Sequence, residues 1–148
     1  LDLLFMFLGK PSSVIAKTAN YHLRGIIDVE DSCDGIITHE GGRTSNFYAT
    51  TAARGMCSTV VYIVTKNHTV EVRNYKLFVD GEPVDTSETQ CYVGKACYGN
   101  GHTPLIAAFY DAIKNRREMP VTLESAKEAV NILLAAYASR GEKTEIAR

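Results

Sequence analysis

The sequence predicts an α+β domain: an open, mostly antiparallel sheet with helices packed on one face. Three observations carry that expectation. The chain opens on a short apolar helix, continues through brief period-two segments joined by tight turns, and closes on two punctuated amphipathic helices.

The opening, "LDLLFMFLGKP", has seven large apolar side chains among its first eight residues. Leu1, Leu4, Phe5 and Leu8 recur at helical spacing, and Leu3, Met6 and Phe7 cover much of the remaining circumference. That pattern predicts a helix buried on nearly all sides. Gly9 supplies a C-terminal cap and Pro11 forbids continuation. The stretch lacks the basic region and small-residue cleavage site of a signal peptide. It is also far shorter than the ~20 apolar residues a membrane span needs. With no N-cap in front of it, the helix reads as cut. The expectation is a single domain over residues 1–148, truncated at its N-terminus.

After Pro11 the period changes to two. "SVIAKTAN" (13–20), "CDGIITHE" (33–40) and "RTSNFYATT" (43–51) read as strands, the last two joined by a Gly41-Gly42 hairpin. "STVVYIVTK" (58–66) is rich in β-branched residues, and "HTVEVRN" and "YKLFVDG" follow, closed by Asp80-Gly81. Connections this short favour an antiparallel meander. In "STVVYIVTK", Val60, Tyr62 and Val64 point one way while Val61 and Ile63 point the other. A strand apolar on both faces needs both covered, which predicts association of copies. From Glu82 to Gly101 the chain is polar and reads as one long loop.

Thr103-Pro104 predicts an N-cap and first turn, followed by an apolar face of Leu105, Ile106, Phe109, Ala112 and Ile113, with Met119-Pro120 as the stop. Thr122 caps a second helix whose stripe runs through Ala126, Ala129, Val130, Leu133, Leu134 and Tyr137 until Gly141 ends it. "KTEI" at the tail can add a short edge strand.

Sixteen basic and seventeen acidic residues leave a net charge of -1, so no electrostatic argument favours nucleic acid or an anionic membrane as partner. Cys33, Cys57, Cys91 and Cys97 form no CxxC pair and no ligand-like spacing with the histidines, which argues against zinc. The expectation is reduced cysteines in a cytoplasmic protein. Asn67-His68-Thr69 matches a glycosylation sequon, which without a secretory signal reads as chance.

Familiar catalytic signatures are missing. No GxGxxG follows a strand, and no phosphate loop, HExxH or GxSxG occurs. Gly99-Asn100-Gly101 precedes a helix but lacks the third glycine. Cys33, Asp34 and His39 have catalytic chemistry, yet parity within one strand puts Asp34 and His39 on opposite faces. A Cys–His pairing in three dimensions stays open on sequence alone.

One stretch carries more: "CYGNGHTPLIAAFYDAIKNRREMPVTLESAKEAVNILLAAYASRGEKTEI". A Tyr-Gly-x-Gly-His run enters a helix, a basic-Pro break follows, and a second helix ends in Ala-Tyr-x-Ser-x-x-Gly. This resembles the C-terminal end of the glucose–fructose oxidoreductase/inositol dehydrogenase (Gfo/Idh/MocA) family of NAD(P)-dependent sugar oxidoreductases. "LDLLFMFLGKPSSVIA" is similar to the family's helix entering its second domain with the first sheet strand, and "VEDSCDGIITHEGG" to the next strand pair.

The resemblance implies a substrate-side and oligomerisation half of an oxidoreductase acting on a sugar, sugar acid or cyclitol. Its cofactor would be NAD or NADP. The family's Gly-rich loop, Glu-Lys-Pro motif and catalytic Asp-x-x-x-His pair would lie upstream of Leu1, so this chain alone is expected to bind no cofactor and to be inactive. Three residues carry over as substrate-binding candidates: His102, Tyr98 and Arg54. His102 would hydrogen-bond or pass a proton to a sugar hydroxyl, or else simply fix the loop before its helix. Arg54 stands where relatives vary, and Asp2 matches a family aspartate with a structural role. The implied partners are a small-molecule polyol and further copies of the chain, as a homodimer or tetramer through the open sheet face. The alternative is a non-catalytic α+β module that binds a small molecule or acts as a scaffold.

Overall fold

The computed structural model describes residues 1–53, 59–74, 76–86 and 101–147. The elements in chain order are α1 (Asp2–Leu8), β1 (Pro11–Ala19), β2 (Ser32–His39), β3 (Thr44–Thr50), β4 (Val61–Val64), β5 (Thr69–Arg73), β6 (Lys76–Val79), β7 (Glu82–Val84), α2 (His102–Asn115), α3 (Leu123–Ser139) and β8 (Thr144–Glu145). The class is α+β, and every strand pairing is antiparallel. The strands form two sheets of four, ordered β3-β2-β1-β8 and β4-β5-β6-β7. They belong to two compact units: Leu1–Ala53 with Pro120–Arg148, and Arg54–Met119.

In the first unit, the register Val14↔Ile37 and Ala16↔Gly35↔Phe47 puts an apolar row on one face of the sheet. Helix α3 lies on that face, and Ile132, Ala135, Ala136 and Ile146 complete a core with Val14, Ala16 and Ile37. The opposite face, where Ile15 pairs Ile36 and Lys17 pairs Asp34, is exposed together with Tyr48. Sequence alternation therefore yields one covered face and one open face.

The α3 stripe differs from the expectation. The buried residues are Ile132, Ala135, Ala136 and Ser139, whereas Val130, Leu133, Leu134 and Tyr137 are exposed. Small side chains face β1 because the helix packs closely there. The Ser139 hydroxyl accepts the Ala16 N–H at 2.8 Å, a bond the helix makes only by lying against the strand. Helix α1 also departs: none of its residues is buried. Leu4 and Phe5 pack at the edge of the core, while Leu3, Met6 and Phe7 are exposed.

In the second unit, the registers Val61↔Val72↔Leu77↔Val84 and Ile63↔Val70↔Val79 assemble one apolar face. Its valines, isoleucine and leucine are half-buried apart from the exposed edge residue Val84. The other face carries Tyr62, Glu71 and Phe78 in register, and Val60, Tyr62 and Val64 are exposed. Arg73 lies 4.8 Å from the Phe78 ring centroid and 3.5 Å from Glu71. Asp80 and Gly81 both have positive φ (51° and 86°), the two-residue turn their dipeptide predicts. Glu82–Val84 forms β7 where a loop was expected, because that turn brings Glu82 back into register with Val79.

Candidate functional site

Of the three substrate-binding candidates, the structure places one. Arg54 and Tyr98 lie outside the described residues. His102 is the first residue of α2 and is exposed. The N-cap is Gly101, not Thr103 as the sequence suggested. Thr103 and Pro104 therefore sit inside the first turn, where the missing proline N–H costs nothing because first-turn N–H groups have no intrahelical partner. The turn holds no acidic residue and receives no side-chain cap. The helix ends at Arg116 in the left-handed region (φ 53°), ahead of the expected Met119-Pro120 stop. Of its anticipated apolar face, Ala112 is buried, while Leu105, Ile106, Phe109 and Ile113 are exposed.

The catalytic-looking residues of β2 do not combine. Asp34 is exposed on the open face, and His39 is buried on the helix face, 1 % exposed. His39 Nδ1 lies 2.8 Å from the Gly9 carbonyl oxygen and Nε2 lies 2.9 Å from Ser45 Oγ. A carbonyl only accepts, so Nδ1 carries the proton and donates. Both ring nitrogens are committed to structure, which leaves none for Cys33. Burial pushes the Cys33 thiol up from its ordinary value, and the carboxylates of Asp34 and Glu30 push it further. A thiol so disfavoured as thiolate is a poor nucleophile.

Two carboxylate constructions escape a sequence reading. Asp31 is buried at the end of the β1–β2 connection. It accepts the backbone N–H groups of Tyr21 (3.1 Å), His22 (2.6 Å) and Leu23 (2.9 Å) and the Ser32 hydroxyl (2.8 Å). Burial alone would raise its pKa, but those four donors outweigh it and hold the carboxyl far below the usual range. Asn20 braces the same loop through the Ile27 and Val29 carbonyls, and Glu30 accepts the Tyr137 hydroxyl of α3. In the second unit, His68 Nδ1 donates to Asp80 at 2.7 Å, and Asp80 also accepts the Thr69 N–H at 2.8 Å. The His68 bond is the largest of the effects that hold the Asp80 carboxyl below its ordinary value. Asp80-Gly81 signalled the turn, but nothing local signalled the histidine reaching across from the neighbouring hairpin. No cluster of three metal-ligating side chains occurs among the described residues, and none of their helices is long and apolar enough to cross a membrane.

No protein-family model matches the chain, and no curated protein matches it by sequence. Solved structures do match by fold. An oxidoreductase from Agrobacterium radiobacter, in complex with NAD+, L-tartaric acid and magnesium, superposes with TM-score 0.78 at 17% identity, covering 97% of this chain and 46% of that one. Levoglucosan dehydrogenase in complex with NADH gives 0.78 at 18%, covering 99% and 48%. The WlbA dehydrogenase from Bordetella pertussis, in complex with NADH and UDP-GlcNAcA, gives 0.76 at 17%, covering 99% and 44%. The chain thus spans a little under half of each. Over nearly its whole length it has the fold found in oxidoreductases of the Gfo/Idh/MocA type, the type its sequence resembles.

Proposed function

We infer that this chain is the substrate-side and oligomerisation half of an NAD(P)-dependent cytoplasmic oxidoreductase acting on a sugar, sugar acid or cyclitol. The observation that carries the reading is the fold likeness across 97–99% of the chain to an oxidoreductase solved with NAD+ and two dehydrogenases solved with NADH. The hydride would pass between a substrate carbinol carbon and the nicotinamide, in a site completed by a nucleotide-binding half. His102, at the uncapped start of α2, would hydrogen-bond a substrate hydroxyl, with Tyr98 and Arg54 as further wall residues. Copies would meet through the open sheet face that carries Ile15, Ile36 and Tyr48.

The test is to express the complete reading frame that carries this chain and assay reduction of NAD and NADP with a panel of sugars, sugar acids and cyclitols. Turnover of one of them is expected. His102→Ala should then lower kcat/KM by ~1–3 kcal/mol of transition-state stabilisation while cofactor affinity holds. A value within twofold of wild type would assign His102 to the loop alone. This chain by itself should show no saturable NADH binding at micromolar concentration, and such binding would overturn its assignment as the substrate-side half.

A further inference from the structure

On the reading that copies meet through the open face of the first sheet, we propose their arrangement: a two-fold axis runs along the strands between β1 and β2 and sets Lys17 of each copy against Asp34 of the other. The strand register carries this. On the open face Ile15 lies directly opposite Ile36, and two residues further along Lys17 lies opposite Asp34. A half-turn about an axis parallel to the strands, midway between them and just off the face, exchanges the β1 and β2 positions and keeps each row level. Ile15 then meets Ile36 of the second copy while Lys17 meets its Asp34. A two-fold contact is isologous, so each of these is made twice.

The side chains are available for it. Ile15 is 43% exposed and Ile36 48%, with Lys17 and Asp34 exposed beside them. Among the described residues, Lys17 and Asp34 form no ion pair with each other or with any other group, although they are cross-strand neighbours. Beyond them the rows hold Ser13 opposite Thr38 at one end and Ala19 opposite Ser32 at the other, side chains too short to hold two sheets apart. Face-to-face sheets lie ~10 Å apart, a gap that isoleucines from both sides fill and that a lysine and an aspartate together span. An axis running across the strands is disfavoured. It would lay the charges on the isoleucines or set each charge against its own kind, and both cost free energy. The face therefore selects a second copy in one orientation.

Charge reversal in the protein expressed from the complete reading frame tests the arrangement. Lys17→Glu leaves only carboxylates at these positions and Asp34→Lys only ammonium groups. Each variant should self-associate at least roughly tenfold more weakly in sedimentation equilibrium, with the loss reduced at high salt. Mixing the two variants restores opposite charges at both contacts, so native mass spectrometry should show the mixed dimer in excess over either homodimer. Lys17→Glu with Asp34→Lys in one chain should pair with itself and exclude wild type. That double reversal keeps opposite charges as neighbours within the chain, so it decides even if a single reversal fails to fold. Single reversals that associate like wild type, or a double reversal that mixes freely with wild type, would overturn the arrangement. If Ile15→Lys with Ile36→Lys still breaks the dimer in that case, the open face stands as the contact. Association that survives all of these substitutions, or a monomeric wild type, would overturn the open-face contact and the arrangement with it.

Discussion

Asp31 and Gly35 show how much can rest on one position. Asp31 organises the β1–β2 connection by accepting three backbone N–H groups and one hydroxyl. Its carboxyl is lowered by folding, so its contribution to stability is full above the ordinary value of 3.8 and is lost as pH falls from there toward the folded-state value. Asp31→Asn should therefore melt well below wild type at pH 7, with the gap narrowing in acid. Thermal melts across that range decide it, and a constant gap would show that charge is not the cause. Gly35 works by having no side chain. A Cβ there would lie 2.6 Å from the Ile15 carbonyl oxygen, 2.8 Å from Ala16 Cβ and 2.9 Å from the Phe47 ring. Since the oxygen belongs to a paired strand and cannot retreat, Gly35→Ala should cost about 1–3 kcal/mol in denaturant unfolding. Glycine inside "CDGIITHE" marks a close approach, and that much is legible in the sequence. The grip of Asp31 is not, because its donors are gathered by the path of an irregular loop that no periodicity describes.

At the scale of elements, strands read more truly than helix faces. Among the described residues, period-two segments located β1 to β6 to within a few residues, the tail "KTEI" located β8, and the turn dipeptides located two hairpins. The α3 stripe was displaced because summed hydrophobicity selects the largest side chains, whereas close packing on β1 selects small ones. The contrast is testable. Ile132 is fully buried and Leu134 is 61% exposed, so Ile132→Ala should cost about 2–5 kcal/mol and Leu134→Ala little, within roughly 0.5 kcal/mol. Equal losses would mean that α3 rests on its other face. That Leu133, Leu134 and Tyr137 lie exposed is not legible in their spacing, since hydrophobic period reports a face and not what lies against it. The sequence placed the cap of α2 at Thr103, two residues beyond the observed Gly101.

For the whole molecule, the exposed apolar residues bear on association. Both β4 with the preceding Val60, through Val60, Tyr62 and Val64, and the open face of the first sheet, with Ile15, Ile36 and Tyr48, present them to solvent. Burial of such surface at ~25 cal/mol per Å² is the usual drive for two-fold assembly. Light scattering at micromolar concentration should give the mass of a dimer or of a tetramer built from dimers. Ile15→Lys with Ile36→Lys, which places cross-strand like charges on the open face, should shift that mass to the monomer. A monomeric wild type would show that these faces are not contacts between copies.

The outer edge of β1 has a different guardian. Its free backbone groups are met by the last part of the chain: Ala16 N–H by the Ser139 hydroxyl, the Ala16 carbonyl by Gly141 N–H at 2.7 Å, and the Ser12 carbonyl by Ile146 N–H at 2.9 Å. The strand that begins at Pro11 is therefore unsealed until more than a hundred further residues have been made. On the ribosome, that edge stands open while those residues are made, a template for strand pairing with any neighbouring nascent chain. The two-residue β8, negligible as a piece of sheet, is then the stopper that arrives after them, and a premature stop codon shortly before it would release a chain with that seam undone.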